Sequence, residues 1–244
     1  ALSKPDYDIV IVGGGPIGAA LAIALQGSGL AVLVLEARPD AGSSNDARTL
    51  AMSYGSRLIL ERLGVWSQIE PVTPIESIHV SQQAGFGRTL LSANEMDLPA
   101  LGYVVRYSRL QEAFGKALES EHTTLMAGAE VTGMEATANA VVIGFRAQET
   151  SRSIAARLLI IADGGAGTGL RAGATVKVRE YGQHAVVGLV ETSRAHGRKA
   201  YERFTPNGPI ALLPFENRYA LVWTAAPDAA DRLLALAATP FLEK

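Results

Sequence analysis

The sequence predicts an α/β protein. A Rossmann-like nucleotide-binding domain is joined to a second domain built on an antiparallel (α+β) sheet, and both domains are discontinuous in sequence. Three observations carry this expectation. Residues 8–12 form a continuous apolar run that passes straight into the turn Gly13-Gly14-Gly15, the pattern of a strand buried on both faces and followed by a tight turn. Residues 31–35 repeat the apolar run and close on Glu36, after a helical spacing of Ile17, Leu21, Ala24 and Leu25, so that one parallel βαβ unit is complete. Beyond about residue 176 the texture changes to short runs at 185–190, 200–204, 210–213 and 219–223 separated by turn residues, as in an antiparallel sheet.

The elements follow in order. Pro16 stands where a helix accepts proline, in its first turn, and Gly27 and Gly29 end that helix. Residues 41–46 are small and polar and predict a loop. Residues 55–63 have helical periodicity and stop at Gly64. Pro71 and Pro74 lead to an alternating run at 78–81, and 85–101 reads as hairpin and loop. Residues 109–120 predict an amphipathic helix with Leu110, Ala113, Phe114, Ala117 and Leu118 on one side. Residues 141–145 and 153–159 predict successive antiparallel strands, and 158–162 a further apolar strand ending on Asp163-Gly164. Residues 229–242 read as one helix. The domain bounds that result are 1–70 with 102–175 for the first domain, and 71–101 with 176–244 for the second.

Composition narrows the function. The chain has 244 residues, 22 basic against 24 acidic side chains and no cysteine. That balance sets up no broad field to attract nucleic acid, and the missing cysteines remove disulfides, thiolate metal sites and cysteine nucleophiles. His79, His122, His184 and His196 are scattered without ligand spacing, so no metal site is expected. No segment reads as a signal peptide or a bilayer-spanning helix, and a cytoplasmic protein is expected. The slightly positive mean hydropathy permits a membrane-surface habit but does not argue for one.

The chemistry lies in Gly13-x-Gly15-x-x-Gly18 and Glu36. Gly13 allows the tight turn, with Gly14 beside it. Gly15 lets backbone approach a pyrophosphate, and Gly18 lets the helix pack close to the strand. The helix N-terminus offers free N–H groups and the positive end of its dipole to phosphates. Glu36 would accept hydrogen bonds from ribose hydroxyls and repel a 2′-phosphate, so FAD or NAD is expected over NADP.

With these residues in view, the chain resembles the class A flavoprotein monooxygenases, the aromatic hydroxylases related to p-hydroxybenzoate hydroxylase. The run 197–214 (Gly-Arg-Lys-Ala-Tyr-Glu-Arg-Phe-Thr-Pro-Asn-Gly-Pro-Ile-Ala-Leu-Leu-Pro) is similar to the ubiquinone-biosynthesis subgroup, the 2-polyprenyl-6-methoxyphenol hydroxylases above all. Tyr181-Gly182-Gln183, Trp223 and Asp46-Ala47-Arg48-Thr49-Leu50-Ala51 match the same subgroup. The resemblance covers nearly the whole chain. It implies an FAD-binding domain and a substrate domain, FAD as cofactor with NAD(P)H as reductant, and hydroxylation of a polyprenylated phenol by O₂. It also permits other ubiquinone-biosynthesis proteins as partners.

Residue by residue, the resemblance places Arg48 near the flavin nucleotide. It places Asp163-Gly164 near the FAD pyrophosphate and ribityl, and Val131 at a strand position whose backbone meets adenine. Gly167 can stand for the small residue of the motif that follows, whereas Arg171 falls one place late. Residues 106–110 hold the place where relatives carry polar residues near the flavin. Tyr201 and Phe204 are candidates for an aromatic-substrate pocket, while Trp223 is assigned to the core. No side chain is assigned as a catalytic acid or base. The family's third signature, a Gly-Asp followed by His, Pro and a glycine-rich helix start, has no counterpart after Trp223. A C-terminally truncated chain with weakened hold on flavin is therefore expected. Two alternatives stay open: a flavin-dependent reductase or dehydrogenase that inserts no oxygen, and a non-catalytic subunit derived from a hydroxylase.

Overall fold

A computed structural model describes residues 4–40, 46–119, 123–165, 175 and 177–243. Gly167, Arg171, His122 and most of the loop expected at 41–46 lie outside the described residues. The chain divides into two compact units. The first is Ala1–Asp46, Ile59–Glu70 and Ser108–Lys177; the second is Ala47–Leu58, Pro71–Tyr107 and Val178–Lys244.

The first unit opens as the sequence predicts, with β1 (Tyr7–Val12), α1 (Pro16–Ala24) and β2 (Val32–Glu36). Its sheet has the order β8 (Thr123–Ala127), β2, β1, β11 (Thr150–Ile161), β10 (Val141–Ala147), β9 (Ala129–Ala136). The first four strands run parallel, and β9, β10 and β11 pair antiparallel. Because β1 and β2 lie inside the sheet, all five residues of β2 are buried, and Val10, Val12, Leu33 and Leu35 meet Val131, Ile143 and Phe145 in one core. Each such side chain contributes roughly 1.5–3 kcal/mol. Helix α2 spans Tyr54–Arg62, and helix α3 (Tyr107–Leu118) buries Leu110, Gln111, Ala113, Phe114 and Leu118. The two strands expected at 153–159 and 158–162 are a single strand, β11. Over 150–156 it pairs antiparallel with β10, and over 156–161 it pairs parallel with β1, so its burial pattern changes with its neighbours and not at a break.

The second unit holds two sheets. One has the order β12 (His184–Val190), β15 (Arg218–Ala225), β14 (Ile210–Phe215), β13 (Lys199–Phe204), β5 (Ser77–Gln82), β6 (Arg88–Ser92); the other has the order β3 (Thr49–Ser53), β7 (Gly102–Arg106), β4 (Thr73–Ile75). The larger sheet is mixed and not purely antiparallel, because β13 pairs parallel with β5, which arrives from an earlier stretch of chain. Residues 47–58 and 102–107 belong here and not with the first unit. The reason is that β3 pairs with β7 and β7 with β4, and Val104 and Ile75 share a core with Ala200, Phe215 and Ala220. The helix expected at 229–242 is two helices, α4 (Pro227–Leu234) and α5 (Ala238–Leu242). Pro240 cannot donate inside a continuing helix, and the break places it in the first turn of the next one. Among the described residues, no helix is long and apolar enough to cross a membrane.

One glycine outside the nucleotide fingerprint is demanded by this unit. Gly208 has φ +119, and a Cβ there would come closer than 3.0 Å to the Thr224 carbonyl oxygen across β14–β15. Gly208→Ala is expected to lower the stability of the second unit by about 2 kcal/mol, read as a lower urea midpoint with unchanged m-value.

Candidate nucleotide site

The site lies at the carboxyl ends of β1, β2 and β11, where open α/β sheets bind ligands. The chain leaves β1 through Gly13, whose N–H donates to the Leu35 carbonyl at 2.8 Å, while Ala162 N–H donates to the Val12 carbonyl at 2.8 Å. Gly13 has φ +104, and a Cβ on it would run into the Ala162 carbonyl and reach 3.0 Å from the Asp163 Cα. The structure thus brings the Gly13 turn and the Asp163-Gly164 turn into direct contact. Asp163 Oδ1 accepts Gly165 N–H at 3.0 Å, and Gly164 and Gly165 take φ +68 and +87, values that favour glycine.

Gly15 caps α1 in an extended conformation and Pro16 begins the helix. A Cβ on Gly18 would strike the Gly13 carbonyl and approach Ile11 Cγ2 at 3.2 Å, so Gly18 sets the helix close against β1. A Cβ on Gly15, in contrast, would meet nothing within 4 Å. The space beside the N-terminus of α1 at Gly15 is therefore open. These residues fit a dinucleotide pyrophosphate: the turn is tight, the helix is close, and the approach over Gly15 is clear.

Glu36 is the buried charge of the site, 5% exposed. Its Oε2 accepts Gly14 N–H at 2.7 Å. Its Oε1 accepts both the backbone N–H and the Nε–H of Arg38 at 2.9 Å. Burial pushes the Glu36 carboxyl up, but the Arg38 side chain, the Arg38 N–H and the Gly14 N–H outweigh it and hold the group below the usual carboxylate range. Arg38 in turn donates from Nη1 to Gln111 Oε1 at 2.8 Å. Neither Arg38 nor Gln111 was marked by sequence reasoning. A signal existed for Gln111, which shares the apolar face of α3 with Leu110, Phe114 and Leu118 and is 1% exposed.

The other predicted residues are placed differently. Val131 is buried on β9 opposite Phe145, beside the register shift between Gly144 and Phe145. It lies three residues beyond Gly128, whose N–H donates to the Arg38 carbonyl at 3.0 Å. Arg48 belongs to the second unit, where its guanidinium lies 5.5 Å over the Tyr107 ring and its carbonyl accepts Tyr107 N–H. In the same unit Tyr201 forms the middle of a row of rings, 5.7 Å from His79 and 6.1 Å from Tyr219, and Phe204 is exposed. Trp223, assigned to the core, is half-buried. It packs on Phe241 at 5.9 Å and lines a cavity of about 820 Å³ with Tyr181, Asn207, Arg232 and Leu233, a volume in the range that holds small ligands.

Comparison with known proteins gives the family and the fold. A family model described as an FAD binding domain matches residues 6–237. The chain is 34% identical over 236 residues to 3-demethoxyubiquinol 3-hydroxylase of Escherichia coli, covering 93% of this chain and 59% of that protein. It is 34% identical over 242 residues to ubiquinone hydroxylase UbiL of Rhodospirillum rubrum, covering 96% of this chain and 55% of that protein. The chain therefore spans little more than half the length of these relatives. Among solved structures, p-nitrophenol 4-monooxygenase from Pseudomonas putida matches with a TM-score of 0.73 at 16% identity, over 93% of this chain and 60% of that one. HpxO of Klebsiella pneumoniae, solved with FAD, matches with a TM-score of 0.70 at 21% identity, over 90% of this chain and 57% of that one.

Proposed function

The chain belongs to the FAD binding domain family, and from that premise we propose that it belongs to an FAD-dependent monooxygenase that hydroxylates a polyprenylated phenol in ubiquinone biosynthesis. The observation that carries the reading is the buried Glu36 carboxylate beside the Gly13–Gly18 turn, a ribose-and-pyrophosphate cradle in a chain 34% identical to two ubiquinone hydroxylases. Bound FAD supplies the redox and oxygen chemistry, with NAD(P)H as the source of electrons. The chain's own residues bind and orient. Gly15 leaves room for the pyrophosphate, the first turn of α1 presents N–H groups to it, and Glu36 accepts from the adenosine ribose. Asp163, whose Cα borders Gly13, and Gly164 beside it hold their assignment to the ribityl and pyrophosphate on the resemblance. Arg48 and Val131 hold their cofactor assignments on the resemblance.

The substrate class and a peripheral position at the inner membrane, beside other ubiquinone-biosynthesis proteins, rest on the same relatives. The test uses ¹⁸O₂, NAD(P)H, FAD and a short-chain prenylated phenol with the natural protein purified at its full length. One labelled oxygen in the ring of the product is expected. NAD(P)H oxidation with no label in the ring would overturn the reading in favour of a reductase.

A further inference from the structure

We propose that Arg38 is a positioning residue of the adenosine site: anchored to α3 through Gln111, it holds Glu36 so that the carboxylate oxygen Oε2 faces a ribose. The proposal rests on the nucleotide reading above and deepens it. An ionised carboxylate offers about four acceptor positions. Oε1 is filled by two hydrogen bonds from Arg38, its N–H and its Nε–H, both at 2.9 Å. Among the described residues, Oε2 takes the Gly14 N–H at 2.7 Å and otherwise only a long 3.4 Å contact from Arg38 Nη2. The spare acceptor capacity is thus collected on the oxygen that borders the glycine turn.

Arg38 can impose this because it is itself held at both ends. Its carbonyl accepts Gly128 N–H at 3.0 Å, and its Nη1 donates to Gln111 Oε1 at 2.8 Å. The guanidinium is a rigid planar fork, so fixing Nη1 on α3 fixes the direction in which Nε meets Glu36. Gln111 is 1% exposed, on the helix that also buries Leu110 and Phe114. The groups acting on the Glu36 carboxylate are few. Arg38 is the charged one and the Gly14 amide the second donor. The neighbouring helix contributes the uncharged Gln111, and β8 pairs opposite Glu36 at Ala127.

The test is Arg38→Met, which keeps the stem and removes the fork, with Gln111→Leu as the milder variant and Arg38→Lys as the variant to use should Met fail to fold. First, the Glu36 carboxyl is titrated by ¹³C NMR in the ligand-free chain, where Arg38→Met is expected to move it up toward the ordinary glutamate range. Second, ADP and FMN are titrated separately. Arg38→Met is expected to weaken ADP by about tenfold, the loss of charge-assisted hydrogen bonds at one carboxylate, and to leave FMN unchanged. Third, in a Glu36→Gln background the same substitution is expected to add little further loss, because the two act as one unit.

An unmoved Glu36 titration, an equal loss for FMN, or full additivity with Glu36→Gln would each overturn the positioning role. A wild-type chain that binds no ADP overturns the nucleotide reading and the proposal with it. ADP binding with an unmoved Glu36 overturns Arg38's role alone.

Discussion

Gly18→Ala is expected to abolish ADP and FAD binding and to cost about 3 kcal/mol of stability in the first unit. The added methyl would overlap the Gly13 carbonyl oxygen and press on Ile11 Cγ2 at 3.2 Å. Overpacking typically costs about 1–3 kcal/mol, and this case falls at the upper end because the obstacle is backbone in a turn that is itself fixed. Gly13 donates its N–H to Leu35 and borders Ala162 and Asp163, so it cannot retreat. Helix α1 must move outward instead, and the N–H groups of its first turn leave the position where phosphates would meet them. Gly15→Ala provides the contrast. Its Cβ meets no atom within 4 Å and its backbone sits at φ −66, so thermal stability should stay within about 0.5 kcal/mol of the parent, while the methyl intrudes on the pyrophosphate and nucleotide affinity falls. Melting curves and ADP titrations on both variants separate the two roles. A Gly18→Ala chain that melts and binds like the parent would remove the close packing from the account.

The parts of this fold that were legible in sequence are those whose physics is local. The βαβ unit could be read because β1 and β2 are central strands, so Val10, Val12, Leu33 and Leu35 all had to be apolar, and because each glycine answers a backbone demand at a fixed offset. The parallel pairing of β13 with β5 leaves no local trace, since Lys199 meets Ser77 only after the intervening chain has folded. The same holds for the displaced domain boundary, which follows from β3 joining β7. Strand β11 reads as two runs because its upstream end is polar and exposed beside β10 and its downstream end is largely apolar beside β1; neighbours wrote that pattern, and neighbours are not in the string. The site shows the same split. Glu36 was evident from its place at the end of β2, whereas its partner network runs through Arg38 to Gln111, a contact between residues 73 apart in sequence. A buried glutamine on an apolar helix face marks a polar partner, but not which one.

Glu36→Gln carries the second large effect, on nucleotide affinity. The substitution preserves volume, so the fold is expected to persist, but it removes the charge that Arg38 and Gly14 are arranged around. Hydrogen bonds to an ionised acceptor are about twice as strong as neutral ones, and their loss costs roughly 1.5–3 kcal/mol. ADP affinity should therefore fall by about 10–100-fold. Selectivity should change with it: the parent chain is expected to reject 2′-phosphorylated ADP by charge repulsion at the ribose, and the variant to reject it less. The pH dependence fixes the cause. The Glu36 carboxyl is held below its ordinary value of 4.5, so in the folded chain it is ionised throughout the neutral and mildly acid range. Because the folded value lies below the unfolded one, the carboxylate's contribution to stability is present above the unfolded value and is lost as pH falls through the folded one. Nucleotide binding, which uses the ionised form, should follow the same course, flat from neutral pH down to the ordinary glutamate range and falling below it. Glu36→Gln should erase the acid limb of nucleotide binding while lowering the neutral plateau of affinity. An acid limb of binding that survives in the variant would place the titrating group elsewhere and take the ribose role from Glu36.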